Sequence, residues 1–264
     1  MSQDVVRLGL TAAVATAIAC FAARAGAGFG APPAATTGPY ERDAPASPEP
    51  TPSGDAHDSA APASRYGQLE ADACEAELAR RGASFVRVES ARGVLAPLRL
   101  TGPLHGVAFH SGVPASQRAS APWEIVDCRL ALALDDFAQQ LSVHDVVEVV
   151  HYSIYRPPSS EWPADQIARQ HAGALAIDAA SFKKRDGTKL DVERDFHGRV
   201  GAHTCGAGDG PEPATPEALE LRQIVCDAAG AKLFNVALTP DYNRAHYNHF
   251  HLEVAAGAKW FMVK

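Results

Sequence analysis

Apolar residues recur at helical spacing in several stretches of the chain, and these stretches are predicted to be helices. The clearest covers residues 127–141, where apolar side chains three and four positions apart form one face: Leu130, Leu134, Phe137 and Leu141. Residues 216–229 carry a second amphipathic pattern, and residues 67–83 combine helix-forming residues with Gly82 near their end.

Between these helices the pattern changes to alternating and β-branched runs, which predict strands. The predicted strands are residues 84–89, 98–100, 107–109, 144–155, 174–182 and 233–238. Because helices and strands capable of antiparallel pairing are mixed without strict alternation, the predicted fold class is α+β.

The last strongly patterned stretch, residues 243–254, reads NRAHYNHFHLEV and is predicted to be extended. Side chains two residues apart in a strand share a face, so His249, His251 and Glu253 point one way. Phe250 and the alternate apolar residues after it point the other way. The apolar face is expected to anchor the strand in a core, so that the imidazoles are held in a fixed direction, as a metal site requires.

The N-terminal part of the chain has a different composition. An apolar run at residues 8–23 follows a basic residue and is too short and alanine-rich for a transmembrane helix, which predicts a signal peptide over residues 1–25. An alternative interpretation ends the signal at Cys20, with lipid anchoring there. Residues 26–65 are rich in Pro, Ala and Ser and are predicted to be a disordered linker, so the folded domain is expected over residues 66–264.

Composition and charge exclude some classes of partner. The chain has 264 residues, 46% of them hydrophobic, which allows one sizeable core, and its formal net charge is -7. Lysine and arginine do not cluster beyond residues 183–185, so the sequence predicts no basic surface for binding nucleic acid or anionic lipid. No transmembrane segment is expected beyond the signal, and the mature protein is predicted to be exported to the periplasm or cell envelope.

Of the five cysteines, all but Cys20 follow the signal segment, and in an oxidising compartment they are expected to form disulfides. None has CxxC spacing, which argues against a cysteine zinc site or a thioredoxin-type redox pair. The sequence leaves the connectivity open. The pairing Cys74 with Cys128 and Cys205 with Cys226 is favoured, because each pair closes a shorter loop than the crossed alternatives.

A metal site can be assembled from two segments of the sequence. His171 and Asp178 lie in QHAGALAID, where Gly173 permits a bend into a strand that carries small residues beside the aspartate. Together with His251 they make a histidine, carboxylate and histidine set of the catalytic zinc type, which leaves a fourth position for water. Each residue alone has an ordinary alternative, as a surface or hydrogen-bonded histidine or a strand-end carboxylate.

These motifs resemble those of a known family. The segment HAGALAID followed much later by HYNHFH is similar to the zinc signature of the lysostaphin, D-Ala-D-Ala peptidase and sonic hedgehog metallopeptidases. More closely, residues 74–254 resemble the bacterial extensin-like C-terminal domain family through Cys128 before a helix, Tyr155 and Arg156 after a strand, HAGALAIDAASF, FNVALTPDYN and HYNHFHLE. The resemblance implies a small antiparallel sheet with flanking helices around a Zn²⁺ site.

The resemblance also implies roles for individual residues. His171, Asp178 and His251 match the zinc ligands, Arg156 matches an arginine that binds substrate near the scissile bond, and His249 matches the histidine beside the metal. Zinc lowers the pKa of a water to about 7 and polarises a carbonyl, while an arginine stabilises an oxyanion or holds a carboxylate.

Two positions depart from the pattern of the relatives. Arg169 stands where the family often has serine, and Asn248 stands where the D-Ala-D-Ala enzymes have a glutamate base. The identity of the base is therefore open. His249 is favoured and His246 is second, with the alternative that His246 is only a loop histidine. Glu253 is a candidate hydrogen-bond partner for a ligand or a solvated strand end.

The resulting expectation is an exported zinc peptidase that hydrolyses D-amino-acid-containing bonds in peptidoglycan stem peptides, as a D,D-carboxypeptidase or an endopeptidase. The alternative is a non-catalytic, zinc-stabilised domain of the envelope or cell wall, because the hedgehog members show that this ligand set also occurs without catalysis. The presence of Arg156, His246 and His249 favours the enzyme, and Asn248 favours the alternative.

Overall fold

The computed structural model describes residues 60–206 and 210–264. The expected signal peptide, the alternative anchor Cys20 and the linker as far as residue 59 lie outside the described residues. Within the two described ranges, no helix is both long and apolar enough to cross a membrane.

Six α-helices form in the described residues: α1 (Pro62–Tyr66), α2 (Ala71–Arg80), α3 (Ala115–Arg118), α4 (Cys128–Val143), α5 (Val192–Asp195) and α6 (Pro216–Gly230). The two longest start at side-chain caps. Asp127 accepts a hydrogen bond from the backbone N–H of Arg129 at the start of α4, and Thr215 accepts one from Ala218 at the start of α6. Both helices were expected from the apolar periodicity, and both are confirmed with boundaries within two residues of those predicted.

The described strands are β1 (Phe85–Arg87), β2 (Pro97–Leu100), β3 (Ala108–Ser111), β4 (Val126–Asp127), β5 (Val146–His151), β6 (Ala176–Lys184), β7 (Lys189–Asp191), β8 (Val236–Leu238), β9 (Phe250–Glu253) and β10 (Met262–Val263). A three-stranded sheet has the order β1-β2-β4, and a seven-stranded sheet has the order β10-β8-β9-β6-β5-β3, with β7 paired to β6. The chain is therefore an α+β protein, as expected.

The larger sheet differs in one respect from the small antiparallel sheet that the resemblance implies. Its central pairings, β5 with β6, β6 with β9 and β8 with β9, are antiparallel. At the two ends of the sheet, β3 runs parallel to β5 and β10 runs parallel to β8. The long connections before β5 and β10 permit these parallel pairs, because a parallel pair needs a crossover rather than a tight turn.

The core on one face of this sheet anchors the strand that carries the histidines. Phe250 of β9 lies 5.8 Å, between ring centroids, from Phe182 of β6, and Phe182 lies 6.4 Å from Phe137 of α4. All three rings are fully buried. The apolar face expected for residues 250–254 therefore packs into the core, which directs His251 to the opposite face.

Two disulfides join the helices to other parts of the domain. Cys74 in α2 is bonded to Cys128 at the start of α4, and Cys205 is bonded to Cys226 in α6. The favoured pairing is confirmed. The same two bonds are typical of proteins that fold in an oxidising compartment.

Three predicted boundaries are wrong. α1 lies in residues expected to be linker, because Pro62 occupies the first helical turn, where proline is tolerated, and Ala63 is buried. β5 ends at His151, well before residue 155, after a register shift between Val150 and His151. The extended stretch expected from residue 243 begins only at β9, since residues 244–246 form a 3-10 turn.

Candidate metal centre

Three elements bring the predicted ligands together. Asp178 on β6 and His251 on β9 are directly opposite each other in the antiparallel register. Such cross-strand neighbours have Cβ atoms about 4.5–5.5 Å apart. His171 lies in the 3-10 turn Gln170–Gly173, which leads into β6. Tertiary pairing therefore joins residues that are far apart in the sequence.

The bend that delivers His171 is made differently from the sequence prediction. Positive φ angles occur at Gln170 (50°) and Ala174 (53°), not at Gly173. Glycine is needed at position 173 for space, because a Cβ there would lie 2.3 Å from the carbonyl oxygen of Ala168. The bend depends on this close approach of two backbone segments.

The donor atoms of the three residues form a compact triangle. His171 Nε2 lies 3.0 Å from Asp178 Oδ1 and 3.2 Å from His251 Nδ1, and His251 Nδ1 lies 3.1 Å from Asp178 Oδ1. Ligands around a tetrahedral zinc at about 2.0–2.2 Å are separated by about 3.3 Å. Among the described residues, this is the group whose donor atoms could hold a metal ion. The residues therefore fit zinc in both type and spacing.

The other polar atoms of the ligands are held by neighbouring groups. His171 Nδ1 donates to the carbonyl oxygen of Ile154 at 2.8 Å, which leaves Nε2 for the metal. Asp178 Oδ2 accepts from Ser153 Oγ at 3.2 Å and from Arg156 Nη2 at 3.0 Å, so that Oδ1 faces the histidines. These contacts fix ligand orientation in the way that outer partners do in metal sites.

Glu253 lies behind the third ligand. Its Oε2 atom is 3.6 Å from His251 Nε2, and both side chains are buried. The distance is longer than a hydrogen bond, so the interaction is mainly electrostatic. The expectation that Glu253 is a partner of a ligand, rather than a solvated strand end, agrees with this position.

Burial and polar contacts shift the pKa values of the site residues in opposite directions. Burial disfavours an ionised carboxylate, but the nearby imidazoles of His171, His249 and His251 outweigh burial and hold the pKa of Asp178 well below its usual value. Burial lowers the pKa of His171. In His251 burial is outweighed by Asp178 and Glu253, which raise its pKa to about 9. Asp178 is therefore ionised and His171 neutral, the forms in which they bind metals, whereas His251 would release a proton on binding a metal.

The other two histidines of the motif lie beside the triangle. His249 Nε2 is 3.3 Å from Asp178 Oδ1, and its Nδ1 is 2.8 Å from Asn248 Oδ1. The His246 ring centroid is 5.2 Å from that of His249 and 5.8 Å from that of His251. Burial, followed by the charges of His249 and His251, lowers the pKa of His246 to about 4. His246 is thus a neutral imidazole at the edge of the centre.

A model of the family described as extensin-like protein C-terminus matches residues 72–263. The chain belongs to this family. No curated protein sequence and no solved structure shows significant similarity to the chain.

The extensin-like domain brings together all the site residues expected from its sequence. His171, Asp178 and His251 form the triangle, and Arg156, with 60% of its side chain exposed, reaches from the rim to Asp178. His246 and His249 lie beside this triangle. The geometry agrees with the expected grouping, while the roles of these residues in binding and chemistry stay predictions.

Sequence reasoning missed several residues of the extensin-like centre. Ser153 contacts Asp178, the exposed ring of Tyr152 packs edge-on against His249 at 5.9 Å, and Asn243 contacts His246. Ser153 and Tyr152 lie just after β5, where the register shift alters which side chains face the site. That irregularity leaves no signal in the apolar pattern. Asn243 could have been noticed as a turn former, because Asn commonly caps turns.

Proposed function

We propose that this extensin-like domain is an exported zinc peptidase that hydrolyses D-amino-acid-containing peptide bonds in peptidoglycan. The observation that carries the proposal is the triangle of His171, Asp178 and His251, with three donor atoms 3.0–3.2 Å apart. Two histidines and a carboxylate are the protein ligands of several catalytic zinc sites, whereas structural zinc sites use four protein ligands. The resemblance of the motifs to the lysostaphin and D-Ala-D-Ala peptidase grouping supplies the substrate class.

In this proposal the metal, a histidine and Arg156 have separate roles in hydrolysis. Zinc bound at the centre supplies a water acidified to a pKa of about 7 and a Lewis acid for the scissile carbonyl. His249 or His246 transfers the proton between the attacking water and the leaving amine. The exposed guanidinium of Arg156 binds the developing oxyanion or a terminal carboxylate of the substrate.

The proposed location follows from the cysteines. Both disulfides are formed, which favours an oxidising compartment outside the cytoplasm. Export by a signal peptide over residues 1–25, or lipid anchoring at Cys20, would place the domain next to the cell wall. A peptidoglycan substrate would be accessible there.

The second candidate is a zinc-stabilised envelope domain without catalysis, and one observation favours it. His249 Nε2 lies 3.3 Å from Asp178 Oδ1, a separation that also suits a fourth protein ligand. A four-ligand site would be closed to substrate water. Arg156 would then serve Asp178 alone, through the contact of 3.0 Å.

Metal analysis combined with peptidoglycan digestion separates the two candidates. We expect about one zinc per chain in the wild-type protein, and soluble peptides released from peptidoglycan only by the metal-loaded form. His251→Ala should lose both zinc and peptide release. His249→Ala should keep zinc and lose peptide release, whereas loss of zinc in both variants would support the four-ligand alternative.

A matched control uses a histidine outside the cluster. His203 is exposed and lies on the loop beside the Cys205–Cys226 disulfide. His203→Ala should keep both zinc and peptide release. A wild-type protein that binds zinc but releases no peptide from any peptidoglycan type would overturn the proposal.

A further inference from the structure

Asn243 has an amide whose orientation is fixed by the backbone. It precedes the 3-10 turn Arg244–His246, and its Oδ1 atom accepts the backbone N–H of Ala245 at 2.9 Å. A backbone N–H is always a donor, so the atom opposite it must be the amide oxygen and not the amide nitrogen. The side-chain oxygen of Asn243 is therefore an acceptor at this position.

The same oxygen also contacts His246. His246 Nδ1 lies 2.8 Å from Asn243 Oδ1. Because the oxygen can only accept, Nδ1 must carry the proton of this hydrogen bond. A neutral imidazole has one N–H, so the second nitrogen, Nε2, is left with a lone pair.

The ring of His246 lies next to the histidines of the candidate metal centre. His246 is partly buried, and its ring lies against those of His249 and His251 at the centroid distances given above. His249 has other partners, with Nδ1 2.8 Å from Asn248 Oδ1 and Nε2 3.3 Å from the carboxylate oxygen of Asp178.

We propose that Asn243 is a positioning residue that holds His246 in the Nδ1–H tautomer and leaves Nε2 as a proton acceptor on a ring that packs against the proposed ligand His251. The hydrogen bond also orients the ring, since Asn243 is itself held by the turn that it caps. The use of this acceptor in peptide hydrolysis rests on the proposed function, whereas the tautomer does not.

Two substitutions separate the capping role of Asn243 from its contact with His246. Asn243→Asp keeps an oxygen that can both cap the turn and accept from Nδ1. Asn243→Ser keeps a good capping oxygen, but its shorter side chain cannot reach the imidazole. Both variants should fold with the thermal midpoint of the wild type to within a few degrees.

The direct measurement is a long-range ¹H–¹⁵N NMR spectrum of the ¹⁵N-labelled full chain, recorded with and without zinc. The His246 signals are assigned by their loss in His246→Gln. We expect a proton on Nδ1 alone in the wild type and in Asn243→Asp. In Asn243→Ser the two nitrogens should show averaged shifts, because the ring then exchanges between tautomers. A wild-type ring protonated at Nε2, or at both nitrogens, would overturn the proposal, as would an unchanged spectrum in Asn243→Ser.

Peptide release from peptidoglycan gives the second measurement. Asn243→Ser should lower kcat about tenfold or more with KM nearly unchanged, and Asn243→Asp should restore it. Zinc content should be equal in all three proteins, and loss of zinc in Asn243→Ser would contradict a role through His246. If no form of the chain releases peptides, the proposed function fails, while the NMR result still decides the tautomer.

Discussion

Asp127 and Asp178 are both buried carboxylates, but their partners differ in kind. Asp127 Oδ1 accepts from the backbone N–H of Arg129 at 3.0 Å and from its Nε at 2.8 Å. Asp127 Oδ2 accepts from Arg129 Nη2 at 3.0 Å and from the N–H groups of Leu95 and Ala96 at 3.2 and 3.3 Å. One guanidinium and backbone N–H groups from two segments of the chain therefore satisfy this carboxylate.

Asp178 has partners of another type. Three imidazole nitrogens, from His171, His249 and His251, approach its single oxygen Oδ1 at 3.0, 3.3 and 3.1 Å. The other oxygen is held by Ser153 and Arg156. A buried charge that only stabilises a fold needs one well-placed opposite charge, as Arg129 provides for Asp127. With His171 and His251, Asp178 forms the group whose donor atoms could hold a metal ion.

The largest difference between the two aspartates should appear in metal binding. Asp178→Asn should reduce zinc from about one per chain to near zero, because it removes the only anionic ligand. In the wild type, zinc at 100 times its Kd should raise the free energy of unfolding by about 2.7 kcal/mol. In Asp178→Asn, zinc should leave the free energy of unfolding unchanged. Elemental analysis and urea unfolding with and without zinc measure both effects. A variant that kept stoichiometric zinc would remove Asp178 from the site.

Asp127 should show its effect in stability. Asp127→Ala leaves Arg129 buried without its partner and removes the cap of α4, so we expect a loss of about 3–5 kcal/mol in the free energy of unfolding. Zinc per folded molecule should stay at the wild-type level. Asp127→Asn keeps a capping oxygen and should lose less. Urea unfolding measures the loss, and a change below about 1 kcal/mol in Asp127→Ala would contradict the structural role.

A smaller effect is expected from the groups that orient Asp178. Ser153→Ala removes one of the two donors to Oδ2, and we expect the Kd for zinc to rise about tenfold. The cavity left by a hydroxyl is small, so the free energy of unfolding without zinc should change by less than about 1 kcal/mol. Competition with a chromophoric chelator measures the affinity. Ser142→Ala, on the exposed end of α4, is the matched control and should leave it unchanged.

Much of the centre could be predicted from the sequence, because its main signals are local. Residue type and two-residue periodicity place His251 and Phe250 on opposite faces of β9, and the structure confirms both faces. The position of Asp127 at the start of α4 is equally local, since it follows from the onset of an apolar helical pattern. The favoured disulfide pairing also rests on short loop lengths.

The rest of the centre depends on tertiary detail that periodicity does not record. Ser153 reaches Asp178 because the β5 and β6 register shifts at Val150 and His151, after which the backbone N–H of Asp178 bonds to the carbonyl of Ser153 at 3.1 Å. A regular strand through residue 155 would have oriented these side chains differently. Asn243 has the extended backbone that was expected, but the turn that its side chain caps was not predicted.

The smallest expected effect concerns Glu253, which lies behind His251. Its Oε2 atom is 3.6 Å from His251 Nε2, which is longer than a hydrogen bond. The two donors to Asp178 Oδ2, from Ser153 and Arg156, are 3.2 Å away or closer. Glu253→Gln keeps the shape of the side chain and removes its charge, so the Kd for zinc should rise by less than the about tenfold change in Ser153→Ala. The same chelator competition compares the two variants. If Glu253→Gln weakened zinc binding more than Ser153→Ala, the charge behind the imidazole would matter more than the orientation of the carboxylate.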